Sequence, residues 1–247
     1  MAKHRTASAS RPPQTNRLLA ALPPNDYERI APFLKTIPLK LKQTLHKVGE
    51  PVEYVYFPGG GFLSLLTVLQ NGTMVEVATV GREGMAGLPA ALNSDPSPSE
   101  TFVQGESEWC WRMPTPAFRR EIERRGALHE LVSRYSHALF AVVMQSTACN
   151  AIHSVEQRLA RWLLTAQDRM QANDFPLTQE FLAMMLGASR PMVTVVAGTL
   201  QKAGLITYHR GHLTVVDRER LEAASCECYR TSVVLLSRVT AQPVKRR

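Results

Sequence analysis

The chain has 247 residues, 45% hydrophobic and 20% charged, enough to bury a sizeable core in one large domain or two ordinary ones. No apolar run reaches the roughly 18 residues that cross a bilayer, the basic N-terminal segment has no apolar h-region of a secretory signal, and four cysteines without a C-x-x-C pair lack the spacing of a disulfide scaffold or a structural zinc site, so no metal, cofactor or membrane is expected and a reducing cytoplasm is the expected setting. The net charge of +8 is uneven: residues 1–17 carry four Lys/Arg and no acid, residues 18–150 twelve bases against thirteen acids, and residues 151–247 thirteen bases against eight acids, which suggests that the C-terminal part faces a polyanion.

Residues 1–17 read as a disordered basic arm. Helical spacing follows over 18–36, broken at Pro23-Pro24, with Asn25 or Asp26 as the cap of the second piece. From about 38 to 113 short apolar or alternating runs (39–45, 52–57, 62–69, 75–80, 101–104, 108–112) are separated by Gly and Pro, the texture of a small β-barrel or sandwich. Asn71-Gly72 between the third and fourth runs predicts a type I′ hairpin, because both residues tolerate positive φ. Pro114-Thr115-Pro116 opens a short helix ending near Arg125-Gly126, and a long helix is predicted over 127–151. On it Leu128, Leu131, Tyr135, Ala138, Val142, Gln145 and Cys149 follow steps of three and four, a heptad seam; Val132, Leu139 and Val143 form a second stripe. One stripe can pack on the β domain and the other on a second copy, and the heptad seam is taken as the dimer interface. His153 or Ser154 starts the next helix, through Gln171, with Arg158, Arg161 and Arg169 on its polar edge.

Residues 177–216 carry the most specific pattern. Thr178 can cap a helix over Gln179–Leu186, Gly187 supplies a turn residue tolerant of positive φ, and Ser189 caps a second helix running to about Ala203. Ala183 fits where two steeply crossed axes approach, and Leu182, Leu186, Ala188, Val193 and Val196 supply the inner faces. This is a helix-turn-helix signature. It turns Ser189, Arg190, Met192 and Thr194 outward, and Arg190 can offer two donors to guanine O6 and N7 in a major groove. Two short runs, 205–208 and 213–216, flank His209-Arg210-Gly211-His212 and predict a β-hairpin wing whose tip, with His209, Arg210 and His212, lies beside phosphates. Asp217 caps a further helix, to Glu227.

Thr178-Gln179-Glu180-Phe181-Leu182-Ala183, Leu186-Gly187-Ala188-Ser189-Arg190-Pro191 and Arg158-Leu159-Ala160 before Leu163-Leu164 resemble the cyclic-AMP receptor protein/fumarate-nitrate regulator (Crp/Fnr) family of bacterial transcription factors, over about residues 18–225. The resemblance implies an α+β fold: an N-terminal small β-barrel of the cyclic-nucleotide-binding jelly-roll type over 18–126, a dimerisation helix over 127–151 and a C-terminal winged helix-turn-helix over 152–247. It implies a homodimer on a near-palindromic operator, acting on RNA polymerase. By it Arg190 falls on the guanine-reading arginine, Ser189, Thr178 and the wing on phosphate-contacting positions, and Met192 and Thr194 read thymine methyls or contact the backbone. Pro191 and Val195 stand where the cyclic-AMP receptor has a base-reading glutamate and a second arginine, so a different recognition sequence is expected.

The effector region departs further. Cyclic-AMP binders of the family grip the phosphate with an arginine; here Ser99 stands near that position, with Glu100 beside it and Thr101 next, while the upstream stretch is Gly81-Arg82-Glu83-Gly84. A charged phosphate inside a barrel needs such a cation. The resemblance therefore implies an effector other than cyclic AMP held in the usual way, with Arg82, Glu83, Gly84, Ser99 and Thr101 as the weak pocket candidates and the small molecule unknown. Two alternatives stay open: a ligand-binding module that controls a protein partner without touching DNA, and a redox or metal sensor of the same architecture. For the latter, Cys110, Cys149, Cys226 and Cys228 are dispersed along the chain, and His46, His129 or His137 are lone histidines. No G-x-S-x-G, H-E-x-x-H, P-loop or G-x-G-x-x-G is present, so no enzyme is expected.

Overall fold

The computed structural model describes residues 15–92, 94 and 96–241. Residues 1–14 of the expected arm lie outside them, but its last residues belong to the fold. Asn16 caps α1 (Arg17–Ala20), accepting from the Leu19 N–H and donating its amide to Pro58 O and Gly84 O, each at 2.9 Å. In α2 (Pro24–Ile30) neither Asn25 nor Asp26 is the cap: Pro24 occupies the first helical position, where the missing N–H costs nothing.

Seven strands follow: β1 (Lys35–Leu39), β2 (Thr44–His46), β3 (Tyr54–Pro58), β4 (Phe62–Val68), β5 (Met74–Val80), β6 (Glu100–Gly105) and β7 (Ser107–Pro114). They form two antiparallel sheets, β1-β7-β3 and β2-β6-β4-β5, a jelly-roll-like pair of faces rather than a closed barrel. The run 39–45 is split between β1 and β2 by a turn in which Lys42 takes φ +67°. The β4–β5 hairpin forms where Asn71-Gly72 points, but with a three-residue loop. Gly72 N–H donates to Leu69 O, Gly72 takes φ +81° and Asn71 does not turn positive, so this is a type I turn followed by a glycine bulge.

Helix α3 (Thr115–Glu123) leads into α4 (Ala127–Ile152), the longest element. The heptad seam expected to meet a second copy is spent inside the chain. Leu128, Leu131, Tyr135 and Ala138 are buried against the jelly roll with Val55, Met85 and Phe118. Further along, Val142 lines a cleft shared with Val233 and Leu236 of a helix that the sequence does not signal, α9 (Cys228–Ala241), and Gln145 and Cys149 meet Cys228 and Cys226. The reason is plain: the seam is continuous, but two partners of the same chain share it end to end. The α4 face that stays open is another one, with Phe140 64% and Met144 58% exposed.

Helix α5 (Val155–Met170) opens with a full capping box between Ser154 and Gln157 and closes on Gln171 in the left-handed region. It enters a winged helix: β8 (Asp174–Pro176), α6 (Gln179–Leu186), α7 (Arg190–Lys202), β9 (Ile206–His209), β10 (His212–Val215) and α8 (Arg218–Ala224), with a sheet of order β8-β10-β9. α8 ends at Ser225, short of Glu227. The two halves share a core. Phe62 of β4 meets Trp162 of α5 edge-on at 6.1 Å, and Phe102 of β6 meets Phe181 of α6 at 5.5 Å. Among the described residues no single helix is long and apolar enough to cross a membrane.

Candidate DNA-binding surface and jelly-roll interior

The helix-turn-helix is built from local chemistry. Thr178 Oγ1 accepts the Phe181 N–H at 3.2 Å and starts α6. Gly187 ends it at φ +57°, its N–H and that of Ala188 closing back on the carbonyls of Met184 and Ala183. Ser189 Oγ accepts the Met192 N–H at 3.4 Å and starts α7, so that the two axes differ by 103°. Leu182, Leu186, Val193, Val196 and Leu200 face inward and are buried; Ala188 is half-buried. Ser189, Arg190, Pro191, Met192, Thr194 and Val195 are exposed along the outer face of α7. Thr194 Oγ1 lies 3.0 Å from Gln179 Oε1 and 2.9 Å from the Arg190 carbonyl, so its hydroxyl is engaged within the motif and its methyl is left for outside contact.

The wing turns on Arg210 (φ +48°) and Gly211 (φ +81°), with His209 paired to His212. Both central residues are positive, so the type I′ turn of this protein sits here. Tyr208 N–H donates to Gln201 Oε1 at 2.7 Å and fixes the wing to α7, while His209, Arg210 and His212 are exposed at its tip. His212 Nδ1 also lies 3.6 Å from Asp174 Oδ2.

The five effector-pocket residues named from the sequence fall in two places. Ser99 and Thr101 line a cavity of about 40 Å³ inside the jelly roll, with His46, Leu65, Met85, Leu88 and Leu139. His46 Nδ1 is 2.9 Å from Thr101 Oγ1 and its Nε2 is 2.8 Å from Tyr54 O. Burial pushes the His46 pKa down, so the ring is neutral; Nε2–H donates to Tyr54 and Nδ1 accepts from Thr101. Among the described residues no Lys or Arg lines this cavity, and its volume lies below the about 300–1,000 Å³ of small-molecule sites.

Glu83 instead serves the junction with α5, and Gly84 the packing of α4 on the jelly roll. Glu83 Oε1 accepts from Arg169 of α5 at 2.6 and 3.0 Å, and the Gly81 N–H donates to it at 3.0 Å. Burial works against the Glu83 carboxylate, but the Arg169 charge and these bonds outweigh it and hold its pKa below the usual range. A Cβ on Gly84 would meet the Tyr135 ring at 2.3 Å, so the residue is fixed by packing. Arg82 lines a cleft of about 550 Å³ between β5, α4, α5 and α9, along with Arg17, Arg161, Arg169 and Arg218. On its wall Glu76 accepts from Ser64 Oγ at 2.6 Å and Trp162 Nε1 at 2.8 Å. Spacing places Arg161 and Arg169 on a polar edge of α5, and nothing in it points them at a strand so far upstream.

A family model described as a cyclic nucleotide-binding domain matches residues 36–125, and one described as a Crp-like helix-turn-helix domain matches residues 157–224. No curated protein matches the chain. Among solved structures, the chain is similar to a transcriptional regulator of the Crp/Fnr family from Eubacterium rectale (TM-score 0.66, 20% identity, 84% of this chain and 96% of that one). A Crp-family transcriptional regulator from Thermus thermophilus gives a TM-score of 0.63 at 19% identity, over 77% of this chain and 98% of that one. The c-di-GMP-responsive global regulator CLP of Xanthomonas campestris gives 0.58 at 15% identity, over the same shares of 77% and 98%. Two domain matches in this order, on a jelly roll, a long helix and a winged helix, make the chain a member of the Crp/Fnr family of transcription regulators, a DNA-binding protein and not an enzyme.

Proposed function

We propose that two copies of the chain bind a near-palindromic operator, each laying the N-terminal end of α7 in a major groove, and that a small molecule other than cyclic AMP controls the binding. The observation that carries this reading is the exposed row Ser189, Arg190, Met192, Thr194 and Val195 on α7, beside an exposed basic wing. Arg190 reads a guanine, Met192 and the Thr194 methyl meet thymine methyls, and Thr178, Ser189, His209, Arg210 and His212 serve the phosphates. The dimer forms through the open face of α4, where Ser133, His137, Phe140, Met144, Thr147 and Ala151 are all exposed and repeat at alternating steps of four and three. The effector binds outside the filled jelly-roll interior; the cleft of about 550 Å³ supports an anionic one at Arg17, Arg82 and Arg161, since Arg169 and Arg218 are paired with Glu83 and Asp168. A relative of this fold that responds to c-di-GMP is consistent with an effector other than cyclic AMP. Bound at its operator, the dimer acts on RNA polymerase.

Selection of bound sites from random DNA by the purified chain tests the reading directly. An inverted repeat should emerge, Arg190→Ala should cost about 1–3 kcal/mol at one base pair of each half-site, and binding should weaken steeply with salt. An equal loss on every sequence refutes base reading by Arg190, and salt-independent binding refutes the phosphate footprint. Cyclic AMP should leave the melting temperature unchanged; a clear upward shift refutes the reading of the interior.

A further inference from the structure

Three of the four cysteines and one histidine meet where α4 ends. Cys149 lies in the last turn of α4 and His153 is its C-terminal cap; Cys226 stands between α8 and α9, and Cys228 opens α9. The reading of the cysteines as dispersed is overturned by the return of α9 along α4, which brings together positions 77 residues apart. Cys149 Sγ is 3.5 Å from Cys226 Sγ, Cys228 Sγ is 3.6 Å from His153 Nδ1, and the four atoms all lie within 4.8 Å of one another. All three thiols are free and buried.

These separations can be set against metal geometry. A tetrahedral zinc with Zn–S near 2.3 Å and Zn–N near 2.0 Å holds its ligand atoms roughly 3.5–3.8 Å apart. A thiol pair that is merely packed in a core meets no such requirement on a third and fourth ligand. The surrounding polar groups also fit. His153 Nε2 lies 3.2 Å from Glu227 Oε2, which places the ring proton on Nε2 and leaves the Nδ1 lone pair facing the thiols. The Gln145 amide donates to Cys228 Sγ at 3.0 Å, a bond that steadies a thiolate. Three sulfurs and one imidazole form a soft set that selects zinc over magnesium or calcium, and four protein ligands leave no open position for chemistry.

We propose that Cys149, His153, Cys226 and Cys228 form a structural Cys₃His zinc site that fastens α9 to the end of α4, at the joint where the chain turns into the winged helix. Binding releases three thiol protons as three Zn–S bonds and one Zn–N bond form, with no change of oxidation state. The site sits beside Ser154, the cap of α5, so the metal fixes the direction in which the DNA-binding half leaves the long helix. His153 and Cys149 are spaced C-x₃-H across a helix end and Cys226 and Cys228 C-x-C, two half-sites that look ordinary until the fold joins them.

The full chain, purified under reducing conditions from zinc-replete cells, should hold one zinc per chain by elemental analysis. Replacement by Co²⁺ should give the sulfur-to-cobalt charge transfer and strong visible bands of a tetrahedral thiolate site. Cys226→Ser, Cys228→Ser and the milder His153→Gln should each lose the metal, whereas Cys110→Ser, remote in β7, should keep it. Gln145→Ala should fold and weaken zinc binding about 10–100-fold. A reduced protein without zinc, zinc retained in Cys226→Ser or His153→Gln, a Co²⁺ spectrum without thiolate bands, or iron in place of zinc would each overturn the proposal.

Discussion

Glu76 offers a quantitative test of the joint between the two halves. Its carboxyl lies between β5 and α5, and burial pushes its pKa up to about 7 from 4.5, although Ser64 and Trp162 both donate to the charged form. A carboxyl whose folded pKa is raised holds its proton longer in the folded state. Stability is therefore present below pH 4.5 and is lost as pH rises toward 7. At about 1.4 kcal/mol per unit, the loss above pH 7 comes to about 3 kcal/mol. Glu76→Gln keeps the shape and an oxygen acceptor for Trp162, and its amide can donate to Ser64 Oγ in place of the bond it received. The variant should match the parent at pH 4.5–5 and exceed it by up to about 3 kcal/mol at pH 8. Urea unfolding of both proteins from pH 5 to 8 measures this. Taking the difference removes His46, whose lowered pKa makes stability rise with pH near neutrality, and Glu83, whose lowered pKa acts only on the acid side. A difference that is constant across this range would show that Glu76 is ionised throughout and that the carboxyl is not desolvated by the junction.

Two further outcomes separate the faces of the molecule. Phe140→Glu should yield monomers in sedimentation velocity with an unchanged melting temperature, whereas Val142→Glu, which buries a charge between α4 and α9, should lower the melting temperature first; a dimer that survives Phe140→Glu moves the interface elsewhere. Arg169→Met leaves Glu83 buried without its partner and should cost about 3–5 kcal/mol, most of it recovered by adding Glu83→Gln; calorimetry showing no recovery would mean that Arg169 acts through Thr79 rather than Glu83.

The parts of the fold legible in the sequence are those written in local chemistry. Thr178, Gly187 and Ser189 each act on the backbone within a few positions of themselves, so the helix-turn-helix and its outward row follow from spacing, and Ser154 announces α5 in the same way. The heptad on α4 was equally visible, but periodicity states only that a face is covered, not by what. α9 lacks a cap signal, and its Val233 and Val234 stay half-exposed, so its stripe gave no strong helix pattern, and without α9 the seam appeared to want a second chain. The cysteine–histidine cluster is hidden for the same reason, since it exists only once α9 has come back.

The junction residues show a subtler limit. Strict alternation along β5 puts Glu76 on the same face as Ala78 and Val80, which are buried in the jelly roll, and sets Thr79 on the opposite face. Yet Glu76 and Thr79 both bond to α5, through Trp162 and Arg169. The strand pairing supplies the reason: Leu65 faces Ala78 but Leu66 faces Glu76, so the ladder skips Val77. That one-residue bulge turns Glu76 over to the face of Ser64 and Thr79, where its carboxyl finds donors instead of the apolar interior. A bulge reverses the inside–outside assignment of every residue beyond it. The contact surface between jelly roll and winged helix therefore depends on a backbone irregularity that no side-chain pattern in the strand displays.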